Sequence, residues 1–279
     1  MALLFFHLVG IVGNSLILRQ TKNISRFALS TISQTGIAIP ALALLIISPP
    51  QFSRFDSHAW LYLLGAMVLT ICLQVTYVKA LEFLEASVFS VVYNLRMALT
   101  TVLSIIFLGE SFDWLRIAGG GLILLAIFVV RQRGSERIVR KGVLWGLAAV
   151  LSLSFLNLCE KKLINSVGFF NYFPLESLAA LVVMWLYLLK SEGRFDTLIL
   201  VRPKILQLMA FRALSAYGFS GALALGASIS VANYISGINV IFMMLFGALL
   251  LGERDFLKRK IAAVVVAVVG LTLVLIGSV

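Results

Sequence analysis

The chain has 279 residues, 61% hydrophobic and 13% charged, with a formal net charge of +11 and a mean hydropathy of +1.05. A soluble domain carries about a quarter of its residues as charges, so a soluble fold is excluded. With it goes the reading of the positive charge as a nucleic-acid footprint. What remains is a polytopic membrane protein whose basic residues fall between apolar runs, where they set topology and meet anionic lipid headgroups.

An apolar run of about 20 residues crosses the hydrocarbon core of a bilayer. The hydropathy pattern predicts such spans at 2–18, 27–47, 60–78, 86–108 and 112–130, then at 143–159, 172–189, 205–225, 227–251 and 261–279. These are solid apolar blocks without the alternation of barrel strands, so the spans are helices, which satisfy their own backbone hydrogen bonds in lipid. The expected fold class is all-α integral membrane, with ten transmembrane helices. The opening MALLFFHLVG has no basic n-region and no small-residue cleavage site, and reads as a first span rather than a signal peptide. Cys72 and Cys159 lie inside apolar runs, without metal-ligand or disulfide spacing, and are expected in the core.

Loop charge predicts orientation. With the N-terminus on one side, seventeen Lys and Arg fall on the opposite side, and only Arg54, Arg116, Lys161 and Lys162 share the side of the N-terminus. Positive loops stay cytoplasmic, so both termini are expected on the non-cytoplasmic side. Short loops suit a bacterial cell (inner) membrane.

The ends of the two halves read alike. LEASVFSVVYNLRMALTTVLSIIFLGES starts at Leu84, and LGASISVANYISGINVIFMMLFGALLLGER starts at Leu225. Ala86 and Ser87 match Ala227 and Ser228, Tyr93 matches Tyr234, and Leu108-Gly109-Glu110 matches Leu251-Gly252-Glu253. Five spans is an odd number, so the second copy enters the membrane from the other side. The expected organisation is two inverted five-helix repeats, 1–131 and 142–279, joined by a basic loop at 132–141. Paired five-helix halves, each with a Leu-Gly-Glu turn before its last helix, resemble the drug/metabolite transporter superfamily, in particular its EamA-type branch. The resemblance extends over essentially the whole chain. It implies a carrier of small metabolites, working by alternating access around a central cavity between the repeats. Members of that family are usually drawn with cytoplasmic termini, whereas the loop charges here place them outside.

Arg96 lies in the middle of the fourth span, too deep to snorkel, where a charge costs at least ~2.5 kcal/mol. Phe89, Tyr93 and Thr100 share its helical face. An aromatic ring, a guanidinium and a hydroxyl facing a cavity suit a carboxylate or phosphate on a solute. The bland alternative is a structural partner for backbone carbonyls or a carboxylate. Asn94, and Asn233, Tyr234 and Asn239 in the matching ninth span, join the candidate substrate site, against the alternative of hydrogen-bond glue between helices. Arg212, near the inner end of its span, is expected to snorkel. Glu160 and Glu176 are candidate proton-coupling groups. A structural role competes: Glu176 follows Pro174 at an expected helix start, where a carboxylate complements the dipole. Glu110 and Glu253 are expected to sit before the positive end of the helix that follows each of them, and Gly119, Gly120 and Gly121 and the stripe Ala263, Ala267 and Gly270 to form packing faces, between the halves or in a homodimer.

No P-loop offers ATP hydrolysis, no His or Cys cluster offers a metal site, and no cofactor is implied. The expected partners are a small-molecule substrate and membrane lipids. The leading function is a secondary transporter, exporter or facilitator, of small organic metabolites such as amino acids or other acidic and zwitterionic solutes. A flippase of lipids or lipid-linked substrates is the alternative. An integral membrane enzyme fits less well, because acids and histidines are scarce.

Overall fold

A computed structural model describes residues 2–21, 24–84, 89, 92–111, 113–130, 140–192, 197–239, 241–242 and 257–277. The expected loop at 132–141, apart from its last two residues, lies outside them, as do Glu253 and the pair Ala86 and Ser87. The described helices are α1 (Ala2–Gln20), α2 (Arg26–Ile47), α3 (Ser57–Phe83), α4 (Arg96–Leu108), α5 (Trp114–Val130), α6 (Arg140–Ser166), α7 (Phe169–Glu192), α8 (Pro203–Ala224), α9 (Ile229–Gly237) and α10 (Leu257–Ile276). Short 3₁₀ turns stand at Phe52–Arg54 and Thr197–Val201.

Among the described residues α2, α3, α6 and Phe169–Lys190 of α7 are long and apolar enough to cross a membrane, with shorter apolar stretches at Ala2–Leu18, Val92–Leu108, Trp114–Ala126 and Val264–Ile276. Their outward faces are apolar too. Ile47, Leu144 and Leu186 are 79%, 66% and 63% exposed, an arrangement that water disfavours and lipid accommodates. Cys72, expected in the core, is on such an outward face, where a small apolar side chain is equally at home.

Two helices run past their predicted ends. α3 continues to Phe83, and α6 carries Glu160, Lys161 and Lys162 on to Ser166, because nothing breaks either helix sooner. Lys161, expected in a loop, donates to the Leu223 carbonyl at the end of α8 at 2.9 Å.

The helices pack as two compact units that interleave the halves of the sequence: residues 1–75 with 159–226, and residues 76–158 with 227–279. In the first, Ile17, Leu29, Ile32, Ile205 and Leu208 form the core where α1, α2 and α8 meet. His7 of α1 donates from Nδ1 to the Ser215 carbonyl of α8 at 2.8 Å. α2 lies antiparallel to α7. Phe27 stacks near Tyr187, Gln34 donates to the Ser177 carbonyl, and the Gln51 amide meets Asn171.

In the second unit α5 packs antiparallel to α10 through small residues. A Cβ on Gly119 would collide with the Gly270 carbonyl, and one on Gly270 would stand 2.6 Å from the Gly119 carbonyl. The contact is reciprocal, and it uses the small-residue stripe inside the chain, with Ala126 and Ala267 buried further along. Replacing Gly119 with Leu is expected to lower the thermal midpoint in detergent, at a cost of about 1–3 kcal/mol for overpacking. A midpoint equal to that of the unaltered protein would show that the two backbones do not touch there.

Candidate substrate site

Arg96 opens α4 directly after a break in its helix. The Leu95 amide donates to Val92, three residues back, at 3.1 Å, and Leu95 has φ −58° and ψ −19°, the geometry of a 3₁₀ turn. Ile238 repeats this after α9: its amide meets the Ile235 carbonyl at 3.2 Å, with φ −63° and ψ −19°. Leu95 and Ile238 are separated by the same 143 positions as Leu108 and Leu251. A local 3₁₀ turn inside a helix often marks a working hinge, and interrupted spans at matching positions of two repeats point to a binding site.

The Arg96 side chain is 6% exposed. Its guanidinium carbon stands 4.7 Å above the Tyr93 ring. Tyr93 stacks on Phe89 at 5.3 Å and meets Tyr77 edge-on at 5.4 Å, so the cation rests on an aromatic floor. Its Nε–H has no hydrogen-bond partner, and among the described residues no carboxylate pairs with it. A buried cation without an anion is costly to keep, and it offers planar donors to an anion that arrives.

The neighbouring candidates are occupied. Thr100 donates to Ser154 at 3.0 Å, and Thr101 donates to the Tyr234 hydroxyl at 2.9 Å. Asn233 accepts from Asn157 at 3.4 Å and donates to the Ile229 carbonyl at 3.0 Å. These bonds join α4 to α6, α4 to α9, and α6 to α9. Asn94 is buried and Asn239 half-buried. α4 and α9 run antiparallel, with Gly237 against Met97 at one end and Glu110 against Ser228 at the other.

Glu110 holds that second end. Gly109, with φ 65°, closes α4 in the left-handed conformation that glycine adopts without strain. Glu110 then accepts from the hydroxyls of Ser228 and Ser230, each at 2.6 Å, from the Ile229 amide at 2.8 Å and from Ser104 at 3.1 Å. Burial pushes its carboxyl up, but the bonds from Ser228, Ser230, Ile229 and Ser104 outweigh it and hold the group below the usual glutamate value. The helix whose positive end it faces is therefore α9, and the expectation that it would face the helix following it is corrected. That place is taken by Asp113, which accepts from the Leu115 and Arg116 amides at 2.7 and 3.2 Å. Arg116, expected as a loop cation, is buried, with Nη1 at 3.9 Å from Glu110 and Nη2 donating to the Gly277 carbonyl at 3.1 Å.

The carboxylates of the first unit stand in a different setting. Glu176 is 6% exposed, accepts from Thr70 at 2.8 Å through Oε1, and leaves Oε2 buried without a hydrogen-bond partner. Glu160, also buried, lies within electrostatic reach of Glu176 and of Arg212 on α8. The expected helix start at Pro174 is corrected. Gly168, at φ 86°, closes the turn after α6, α7 begins at Phe169, and Pro174 lies inside the helix. Glu176 is thus about two turns in, beyond the reach of the helix dipole. Arg212, on α8, is half-buried and acts electrostatically on Glu160.

The sequence profile of the EamA-like transporter family, part of the drug/metabolite transporter superfamily, matches residues 1–132. Over that stretch, a little under half of the chain, the sequence is similar to the EamA-like family. A solved chain described as "Crystal structure of protein" superposes with a TM-score of 0.83 over 99% of this chain and 96% of its own, at 14% identity, which shows a shared fold. No curated protein matches in sequence. EamA-like proteins are membrane transporters rather than enzymes, and the apolar helices here are those of a multi-pass membrane protein. Within the EamA-like segment, the polar residues singled out from the sequence divide by their bonding. Thr100 holds helices together, and Arg96 keeps a donor unoccupied. Asp113 escaped notice although Asp before Trp-Leu-Arg is a recognisable N-cap, whereas nothing local marks the His7 bond to Ser215.

Proposed function

We propose that this EamA-like protein is a secondary carrier of small organic solutes bearing a carboxylate, such as amino acids and other acidic or zwitterionic metabolites, working by alternating access. One observation carries the reading: a buried guanidinium at a helix break, stacked on Tyr93, with an Nε donor left unbonded and no carboxylate paired with it among the described residues. Tyr93, Asn94 and Asn239 complete the site beside it. Thr100, Asn233 and Tyr234 position the helices that carry it.

The halves 1–131 and 142–279 are taken as inverted repeats. Supporting this, α2 and α7, α4 and α9, and α5 and α10 are counterparts by position in the two halves, and each pair packs antiparallel. The matched breaks at Leu95 and Ile238 support it further. The loop charges support a cell inner membrane location with both termini outside.

Glu176, with Glu160 as its neighbour, serves as the proton-coupling group: a carboxylate with one buried, unanswered oxygen is where a proton resides when the acid is neutral. Among the described residues, Thr70 bonds Glu176, Arg212 acts on Glu160, and Cys159 and Tyr172 lie within electrostatic reach of both carboxylates. Replacing Glu176 with Gln is expected to leave exchange of solute intact and to remove the response of uptake to an imposed pH gradient. Gradient-driven uptake at the unaltered rate in that variant would remove the carboxylate from the coupling. The solute class is read by comparing metabolite release from cells with and without the protein. Release of acidic or zwitterionic metabolites that depends on Arg96 is expected, and lipid translocation with no solute release would overturn the carrier reading.

A further inference from the structure

The ends of α3 and α6 enclose an open cavity of about 650 Å³ lined by Lys79, Glu82, Phe83, Lys141, Trp145 and their neighbours. Both lysines are on the side that loop charge assigns to the cytoplasm, at the ends of spans, where headgroups lie. The lining changes character along the helices. Lys141 stands at the mouth, Leu144 and Trp145 follow one turn deeper, and Ala148 lies one turn beyond them. Leu144, one turn below Lys141, is 66% exposed, so the wall beneath the mouth is open to acyl chains.

Lys79 does not extend away from the cavity. Its Nζ stands 4.6 Å from the centre of the Trp145 ring, which keeps the ammonium within the cavity. Gly142 allows the two helix ends to come this close, since a Cβ there would press on Leu84 and Phe83. Among the described residues, two ammonium groups against the single carboxylate of Glu82 leave a lining of net charge +1, the complement of a phosphodiester that carries one negative charge.

We infer that this cavity binds the headgroup of an anionic phospholipid. Lys79 and Lys141 meet the phosphate oxygens, the Trp145 ring lies at the level of the glycerol, and an acyl chain runs down past Leu144 and Ala148. The site is independent of Arg96 and of the transport reading. It makes the α3–α6 end a contact with the surrounding leaflet that depends on its lipid composition.

The test is native mass spectrometry of the full chain in detergent, titrated in parallel with phosphatidylglycerol, phosphatidylethanolamine and inorganic phosphate. Phosphatidylglycerol is expected to bind at the lowest concentration, with one copy retained most firmly. The double variant K79Q/K141Q is expected to weaken that binding roughly 30-fold, from about fivefold for each lysine near an anionic headgroup. The charge-keeping variant K79R/K141R controls for folding and is expected to retain binding. Equal binding of the two lipids, or undiminished phosphatidylglycerol binding by K79Q/K141Q, overturns the inference. So does displacement of the lipid by inorganic phosphate at matched concentration, which would make this a site for free anions.

Discussion

Replacing Arg96 with Gln is expected to abolish solute flux while the protein still reaches the membrane at its normal level. The guanidinium is buried, stacked on Tyr93 and unpaired by any described carboxylate. Each charge-assisted hydrogen bond it makes to a solute carboxylate contributes about 1.5–3 kcal/mol, which corresponds to roughly 10–150-fold in affinity. Glutamine removes the charge and the planar fork together. Folding gains rather than loses by the exchange, because an uncompensated buried charge disappears. Lysine at the same position keeps the charge without the stacking or the bidentate geometry, so an intermediate flux is expected. Uptake of labelled solute, normalised to membrane abundance, checks both variants. A purely structural Arg96 would give the reverse pattern, with abundance falling and flux per molecule unchanged.

Replacing Glu110 with Ala is expected to cost about 3–5 kcal/mol, the usual penalty for leaving a buried polar cluster without its charge partner. Ser228, Ser230, the Ile229 amide and Arg116 all lose their shared acceptor, and the positive end of α9 loses its cap. The pH dependence follows from the lowered carboxyl. Its folded-state value lies below the unfolded one, so the stabilisation is fully present above the ordinary glutamate value of 4.5. It is lost as pH falls through the folded-state value, in the acid range beneath 4.5. Thermal midpoints in detergent should therefore fall more steeply with acid in the unaltered protein than in the Ala variant. Identical midpoints at neutral pH would show that the cluster does not hold the end of α4 to the start of α9.

Helix content was legible in the sequence because lipid leaves little choice: solid apolar runs must become helices. Helix ends were less legible. α6 passes through Glu160-Lys161-Lys162, residues that hydropathy treats as a loop but that favour helix locally. Pro174 points to a helix start near Glu176, but α7 already begins at Phe169 and carries the proline inside it. Arg96 stands out because a charge so deep in a span is costly, and its placement beside Tyr93 is visible in the helical spacing of Phe89, Tyr93, Arg96 and Thr100. The division between bonded and unbonded polar residues was not legible. It depends on which helices become neighbours, as in Thr100 with Ser154 and Asn233 with Asn157, and on the partner that Glu110 finds more than a hundred residues away.

The most direct test places the purified protein in liposomes loaded with unlabelled acidic and zwitterionic amino acids and measures entry of the labelled forms. A carrier built around Arg96 predicts saturable entry that is accelerated by solute on the far side and absent in Arg96→Gln. Entry that persists unchanged in that variant, or lipid movement without any solute exchange, would contradict it.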